Sequence, residues 1–146
     1  MRIVVIADDP AAVRANRFAL RYAEEFRVVA TLDGRGPVRA RIAELQPDVV
    51  LVNEMRQRTN VVARILEVRR VAPDCRVLLL TSRTDARAVA DAVEAGADLV
   101  VHSGRPPGAL AALLGAPVAE RAPRPAGDAA LRLVGPHSVS AARTSA

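Results

Sequence analysis

Asp48 to Gln57 read DVVLVNEMRQ, and the fold turns on how that stretch is read. Val49 to Val52 make an apolar run too short for a helix and without polar alternation, as expected of a strand covered on both faces. The run stops at once on Asn53, with Glu54, Met55 and Arg56 behind it. Strands covered on both faces belong to parallel sheets, and parallel strands need crossover helices between them. The flanking sequence should therefore alternate strand with helix.

It does so five times. Further short apolar runs lie at Ile3–Ala7, Val28–Leu32, Val77–Leu80 and Leu99–Val101. Helical stretches are expected over Ala11–Phe26, Val38–Leu45, Asn60–Val71, Thr84–Ala95 and Pro106–Leu114. Pro73 stops the third, since proline cannot continue the hydrogen-bond ladder. Thr84 is the expected cap of the fourth and Gly96 its left-handed end. The pattern gives an α/β fold with a doubly wound, five-stranded parallel sheet. From about Gly115 the composition shifts to Ala, Pro, Arg and Ser, so residues 1–115 read as one domain and 116–146 as a largely disordered tail or linker.

The bulk composition agrees. A chain of 146 residues, 51% apolar, suffices for one domain with a real core. Aromatics are limited to Phe18, Tyr22 and Phe26, and there is no lysine, so every basic side chain is Arg. The net charge of +5 is scattered without dense blocks or interleaved aromatics, which reads as solvated surface and not as a nucleic-acid groove. The single Cys75 rules out an internal disulfide, and its setting before an apolar strand reads as a buried, inert thiol. No stretch approaches the ~20 apolar residues of a membrane span, and the expected location is the cytoplasm, away from membranes.

In an open parallel sheet, ligands bind beyond the carboxyl ends of the strands. Those ends carry Asp8 and Asp9, then Asn53, then Thr81 and Ser82, then His102 and Ser103. Adjacent carboxylates raise each other's pKa and call for a compensating cation, Mg²⁺ or an Arg. Asp9 followed by Pro10 is equally suited to capping the first helix. The two roles are compatible. There is no GxGxxG or Walker loop after the first strand and no Cys–His or Ser–His constellation, so the sequence offers little for an enzyme.

The segments IVVIADDPAAVRANRFAL, PDVVLVNEM, RVLLLTS and EAGADLVV, in that order, resemble the receiver domain of bacterial two-component response regulators over roughly Arg2 to Leu114. The resemblance implies a flavodoxin-like (βα)5 fold with strand order 2-1-3-4-5. It also implies a phosphoryl-accepting pocket. Asp8 and Asp9 match the acid pair that holds Mg²⁺, Met55 matches a position giving its carbonyl to the metal, and Thr81 matches the hydroxyl that binds the phosphoryl group. Asn53 stands at the phosphoacceptor position, Arg56 where a proline usually follows the methionine, and Ser103 (or His102, with a one-residue slip) where a lysine belongs.

An amide is no useful nucleophile toward phosphorus and gives Mg²⁺ no anionic ligand. Without the lysine, nothing balances a bound phosphoryl group. The expectation is a degenerate pocket formed by Asp8, Asp9, Asn53, Thr81 and Ser103, without catalysis, with no cofactor required and at most weak Mg²⁺ binding. Asn53 would hydrogen-bond Asp8 or Asp9, and Thr81 would serve structure as readily as switching. The chain would signal independently of phosphorylation, through a protein partner or a small-molecule ligand. Arg83, Arg87, Asp91 and Glu94 would alternate charge along the fourth helix, a face compatible with a homodimer. The alternative is the receiver part of a transcriptional regulator whose helix-turn-helix domain lies outside this chain. No recognition helix is present, so this chain alone should bind no specific DNA sequence.

Overall fold

Alternation of side chains along each strand sorts the apolar residues into two layers. In the computed structural model, which describes residues 1–115 except Tyr22 and Thr84, together with Leu133 and Val134, the strands are β1 (Arg2–Ala7), β2 (Arg27–Asp33), β3 (Val49–Asn53), β4 (Arg76–Thr81) and β5 (Leu99–His102). Val4, Ile6, Val50, Val52, Val77 and Leu79 face one core, under the helices α2 (Arg39–Leu45), α3 (Arg58–Val71) and α4 (Ala86–Ala95). Ile3, Val5, Val49, Leu51, Leu78 and Leu80 face the other, under α1 (Pro10–Leu20) and α5 (Pro107–Gly115). Both faces are covered, which is why the runs lack polar alternation.

All pairings are parallel and the five strands follow the order 2-1-3-4-5. This is the expected doubly wound, flavodoxin-like sheet. One strand is additional: Leu133–Val134, β6, pairs in parallel with Val100 and Val101 on the outer edge of β5. The rest of the tail expected over 116–146 lies outside the described residues. Among the described residues, no helix is long and apolar enough to cross a membrane.

Two helix expectations need correction. The first helix ends at Leu20, not Phe26, because three-residue turns take over: Ala23 N–H donates to Leu20 O at 3.2 Å and Phe26 N–H to Ala23 O at 3.0 Å. Those turns carry Phe26 inward to the core shared with Leu20 and Leu114. The fourth helix starts at Ala86 and is capped by Asp85, whose Oδ1 accepts from Arg87 N–H at 3.0 Å. The expected Thr84 cap lies outside the described residues, and Arg83 precedes the helix and does not share its charged face. Gly96 closes α4 as expected, at φ 126°, and a Cβ there would stand 2.6 Å from Arg69 Cγ. Cys75 is free and buried.

Candidate functional site

The carboxyl ends of β1, β3, β4 and β5 open onto a cleft of about 560 Å³ whose lining includes Asp8, Asp9, Asn53, Met55, Arg56 and Ser103. The loops that carry Asp8, Asp9, Asn53 and Ser103 therefore meet at one cleft. Thr81 does not line this cleft. It ends β4 on the opposite side of the pleat from Leu78 and Leu80, and its Oγ1 accepts from Arg83 N–H at 3.0 Å. That bond turns the chain after β4 and gives the hydroxyl a structural role.

The acid pair is divided between two tasks. Asp9 caps α1, its Oδ1 accepting from Ala11 N–H at 3.0 Å with Pro10 in the first turn. Asp8 Oδ2 accepts from the backbone N–H of Arg56 at 3.0 Å, tying the loop after β3 to the loop after β1. Met55 sends its side chain down into the core beneath Gly34, where a Cβ would stand 2.4 Å from the Met55 sulfur. Ser103 donates its backbone N–H to Thr81 O at 3.0 Å, which holds the β5 loop against the β4 end.

Asn53 does not bond Asp8 or Asp9. It follows Val49 and Leu51 on the face of the sheet covered by α1, and there its Oδ1 accepts from Asn16 Nδ2 at 2.5 Å. Asn16 is 4% exposed and Asn53 8%, so a helix side chain reaches the strand-end amide inside the protein. The physical reason for the correction is the pleat: an odd-numbered β3 residue points at α1, whereas Asp8 and Asp9 belong to the loop above. Asn16 was not singled out from sequence, since a lone Asn on a helix normally faces water.

Glu54 is the second residue that no local pattern marks. Its Oε2 accepts from both the N–H and the hydroxyl of Ser82, at 2.8 and 2.6 Å, and its Oε1 pairs with Arg83 Nε at 2.7 Å. Burial pushes the Glu54 carboxyl up, but the Ser82 bonds and the Arg83 guanidinium outweigh it and hold the group below its ordinary 4.5. At the neighbouring corner, Arg35 grips Asp33 through paired bonds of 2.8–3.1 Å and lowers that exposed carboxyl to about 2.

A receiver-type magnesium centre asks for three hard ligands around Asp8, Asp9 and the strand-end residue. The side chains present supply two carboxylates, each with one oxygen already engaged, and an amide oxygen committed to Asn16. Among the described residues, no group of three or more acidic, His or Cys side chains is placed to hold a metal. The set does not fit that centre.

No protein-family model and no curated protein sequence matches the chain. Solved structures do. The signal receiver domain of NarL from Mycobacterium tuberculosis superposes with a TM-score of 0.63 at 22% identity, over 77% of this chain and 91% of that one. The fold is that of a receiver domain. A two-component response regulator of the LuxR family from Aurantimonas is similar to the same degree, with a TM-score of 0.64 at 21% identity over 77% of this chain and 81% of that one. RcsB from Salmonella enterica, in a structure bound to promoter rprA, gives 0.65 at 15% identity over 82% of this chain and 70% of that one. Likeness at that level is likeness of backbone. It places Asn53 at the end of the third strand of a receiver fold, beneath the cleft where such a fold opens.

Proposed function

We propose that this chain is a signalling receiver that works without being phosphorylated, by contacts with a protein partner or a small-molecule ligand. The observation that carries the reading is Asn53, a buried neutral amide held by Asn16 where the fold would present a nucleophile. Phosphoryl capture there would need a carboxylate, a metal to bridge it and a cation to balance the charge. Asn53 cannot attack, the metal donor set is short of a ligand, and Ser103 carries no charge. The test is incubation with acetyl phosphate and Mg²⁺, followed by intact-mass measurement and hydroxylamine treatment. No adduct is expected. A hydroxylamine-labile phosphate on Asp8 or Asp9 would overturn the reading.

A second reading is favoured by the RcsB comparison, in which a related fold belongs to a promoter-bound protein. On this reading the chain is the receiver part of a DNA-binding regulator, and its partner is an output domain. The chain alone then retains no specific DNA, because none of its described helices is shown presenting base-reading side chains. A gel shift at two salt concentrations checks this, and sequence-specific retention by residues 1–146 would sink it.

A further inference from the structure

Side by side on one face of the sheet, α3 and α4 leave a groove of about 620 Å³ between them. Val62, Ala63 and Ala95 give it an apolar lining, and Leu66 stands 44% exposed at its side. Asp91 and Glu94 line it from α4. Both are exposed, and neither makes a hydrogen bond or ion pair among the described residues. Arg58 also lines the groove but is spent on Asp85, at 3.2 Å. Arg87, one turn before Asp91, is not paired with it. Carboxylates three positions apart on a helix repel each other, so α4 carries this pair at a cost. Nothing else among the described residues offsets it.

The other face of the molecule carries a counterpart. Among the described residues, the large apolar side chains that stand well exposed are Met1, Phe18 and Leu66. Phe18, 51% exposed, lies on α1 with the exposed Ala11 and Ala15, three positions that share one side of the helix. Arg14 and Arg17 edge that strip, exposed and likewise without a hydrogen bond or ion pair among the described residues. So α1 presents an apolar ridge beside two cations at i and i+3. The groove presents an apolar trough beside two anions at the same spacing. Helix neighbours three positions apart stand about 5–6 Å from each other, so the two charge pairs match in separation as well as in sign.

We propose that α1 of one copy of this chain docks in the α3–α4 groove of another. Phe18 enters beside Leu66, and Arg14 and Arg17 meet Asp91 and Glu94. Because α1 covers one face of the sheet and α3 and α4 the other, two copies cannot make the contact twice. The arrangement is head-to-tail, each copy keeping a free ridge or a free groove, and association continues past the dimer. The inference rests on the reading of the chain as a receiver that acts through protein contacts, for which it names the partner as a second copy. Local concentration then takes the place of phosphate in setting the state of the protein.

Sedimentation velocity on the full chain tests this. With rising concentration the average mass should climb above the 15.5 kDa of one chain and past twice that value. The expected Kd is on the order of 0.1 mM at physiological salt, weakened roughly threefold or more in about 0.5 M salt. Two double variants separate the halves of the contact: Arg14→Glu with Arg17→Glu spoils the ridge, and Asp91→Arg with Glu94→Arg spoils the groove. All four positions are exposed on helix surfaces, so both variants should fold, as circular dichroism checks. Each variant alone should associate about tenfold more weakly than the wild type. Mixed, they should form a one-to-one dimer and nothing larger, since one keeps its groove and the other its ridge. A wild type that stays monomeric near about 1 mM or stops at a dimer, association unchanged in either variant, or a mixture without dimers would each overturn the proposal. The acetyl phosphate experiment is independent. A chain that takes no phosphate and stays monomeric loses this proposal alone, and a chain that is phosphorylated loses the functional reading whatever its mass.

Discussion

The two ends of the sheet are built from the same kinds of residue and are finished differently. At the amino ends of β4 and β5, Arg69 spends its guanidinium on Gly96 O, Pro73 O, Cys75 O and the Asp98 carboxylate, at 2.5–3.0 Å. Asp98 Oδ2 also accepts from Val77 N–H at 2.8 Å. Charges and carbonyls there are closed on one another, which is how a protein staples a turn it never needs to open. At the carboxyl ends, Asp8 and Asp9 each commit one carboxylate oxygen and stand partly or fully exposed, beside a cleft. Charge that is fully paired and dry holds structure, and charge left half-engaged beside open volume is available for binding.

The sharpest way to break the contrast is at the closed end. Arg69→Met should cost about 3 kcal/mol, because the largely buried Asp98 carboxylate loses its ion pair and three carbonyls lose their donor. Urea unfolding reads this directly, and a loss no larger than that of a surface substitution would mean that the clamp is ornamental. Next comes Asn16→Ala, which removes the donor to Asn53 across the α1–β3 contact. A loss of about 1–2 kcal/mol is expected from one buried hydrogen bond and the group it leaves unmet. An unchanged midpoint would show that water replaces the amide, and so that the pair is not sealed.

The smallest effect belongs to Glu54, at the boundary between the two kinds of charge. Its folded pKa lies below the ordinary 4.5, so its contribution is present above that value and disappears as pH falls through the folded pKa. Glu54→Gln should therefore cost about 1 kcal/mol near neutral pH and progressively less in acid. Urea midpoints of both proteins from pH 7 to pH 3 measure this. A gap that widens toward acid would reverse the sign and remove Glu54 as an ionised brace.

The strands were legible because burial on both faces leaves its mark in the sequence itself: each expected run falls inside the strand observed. Pro73 and Gly96 likewise announce their turns locally. What was not legible depends on partners far away in the chain. Nothing near Leu20 stops a helix, and α1 ends there because Phe26 is needed in the core. Asn16 and Asn53 are 37 positions apart, and only the pleat and the placement of α1 bring them together. Glu54 becomes a brace because Ser82 and Arg83 fold over it, a fact that no pattern around residue 54 contains. Leu133–Val134 is only two residues long, too short for any periodicity to declare a strand.

That two-residue strand bears on how the chain behaves in company. The sheet has two margins. One is β2, whose ends are the exposed and charged Arg27 and Asp33. The other, β5, is Leu99–Val101 followed by His102, with no charged residue within the strand to discourage a neighbour. With Leu133–Val134 in register against Val100 and Val101, the bare hydrogen-bonding groups at the centre of that margin are satisfied from within. A chain ending before Leu133 would present them to other copies of itself, and solubility, more than folding, is what such a truncation would put at stake.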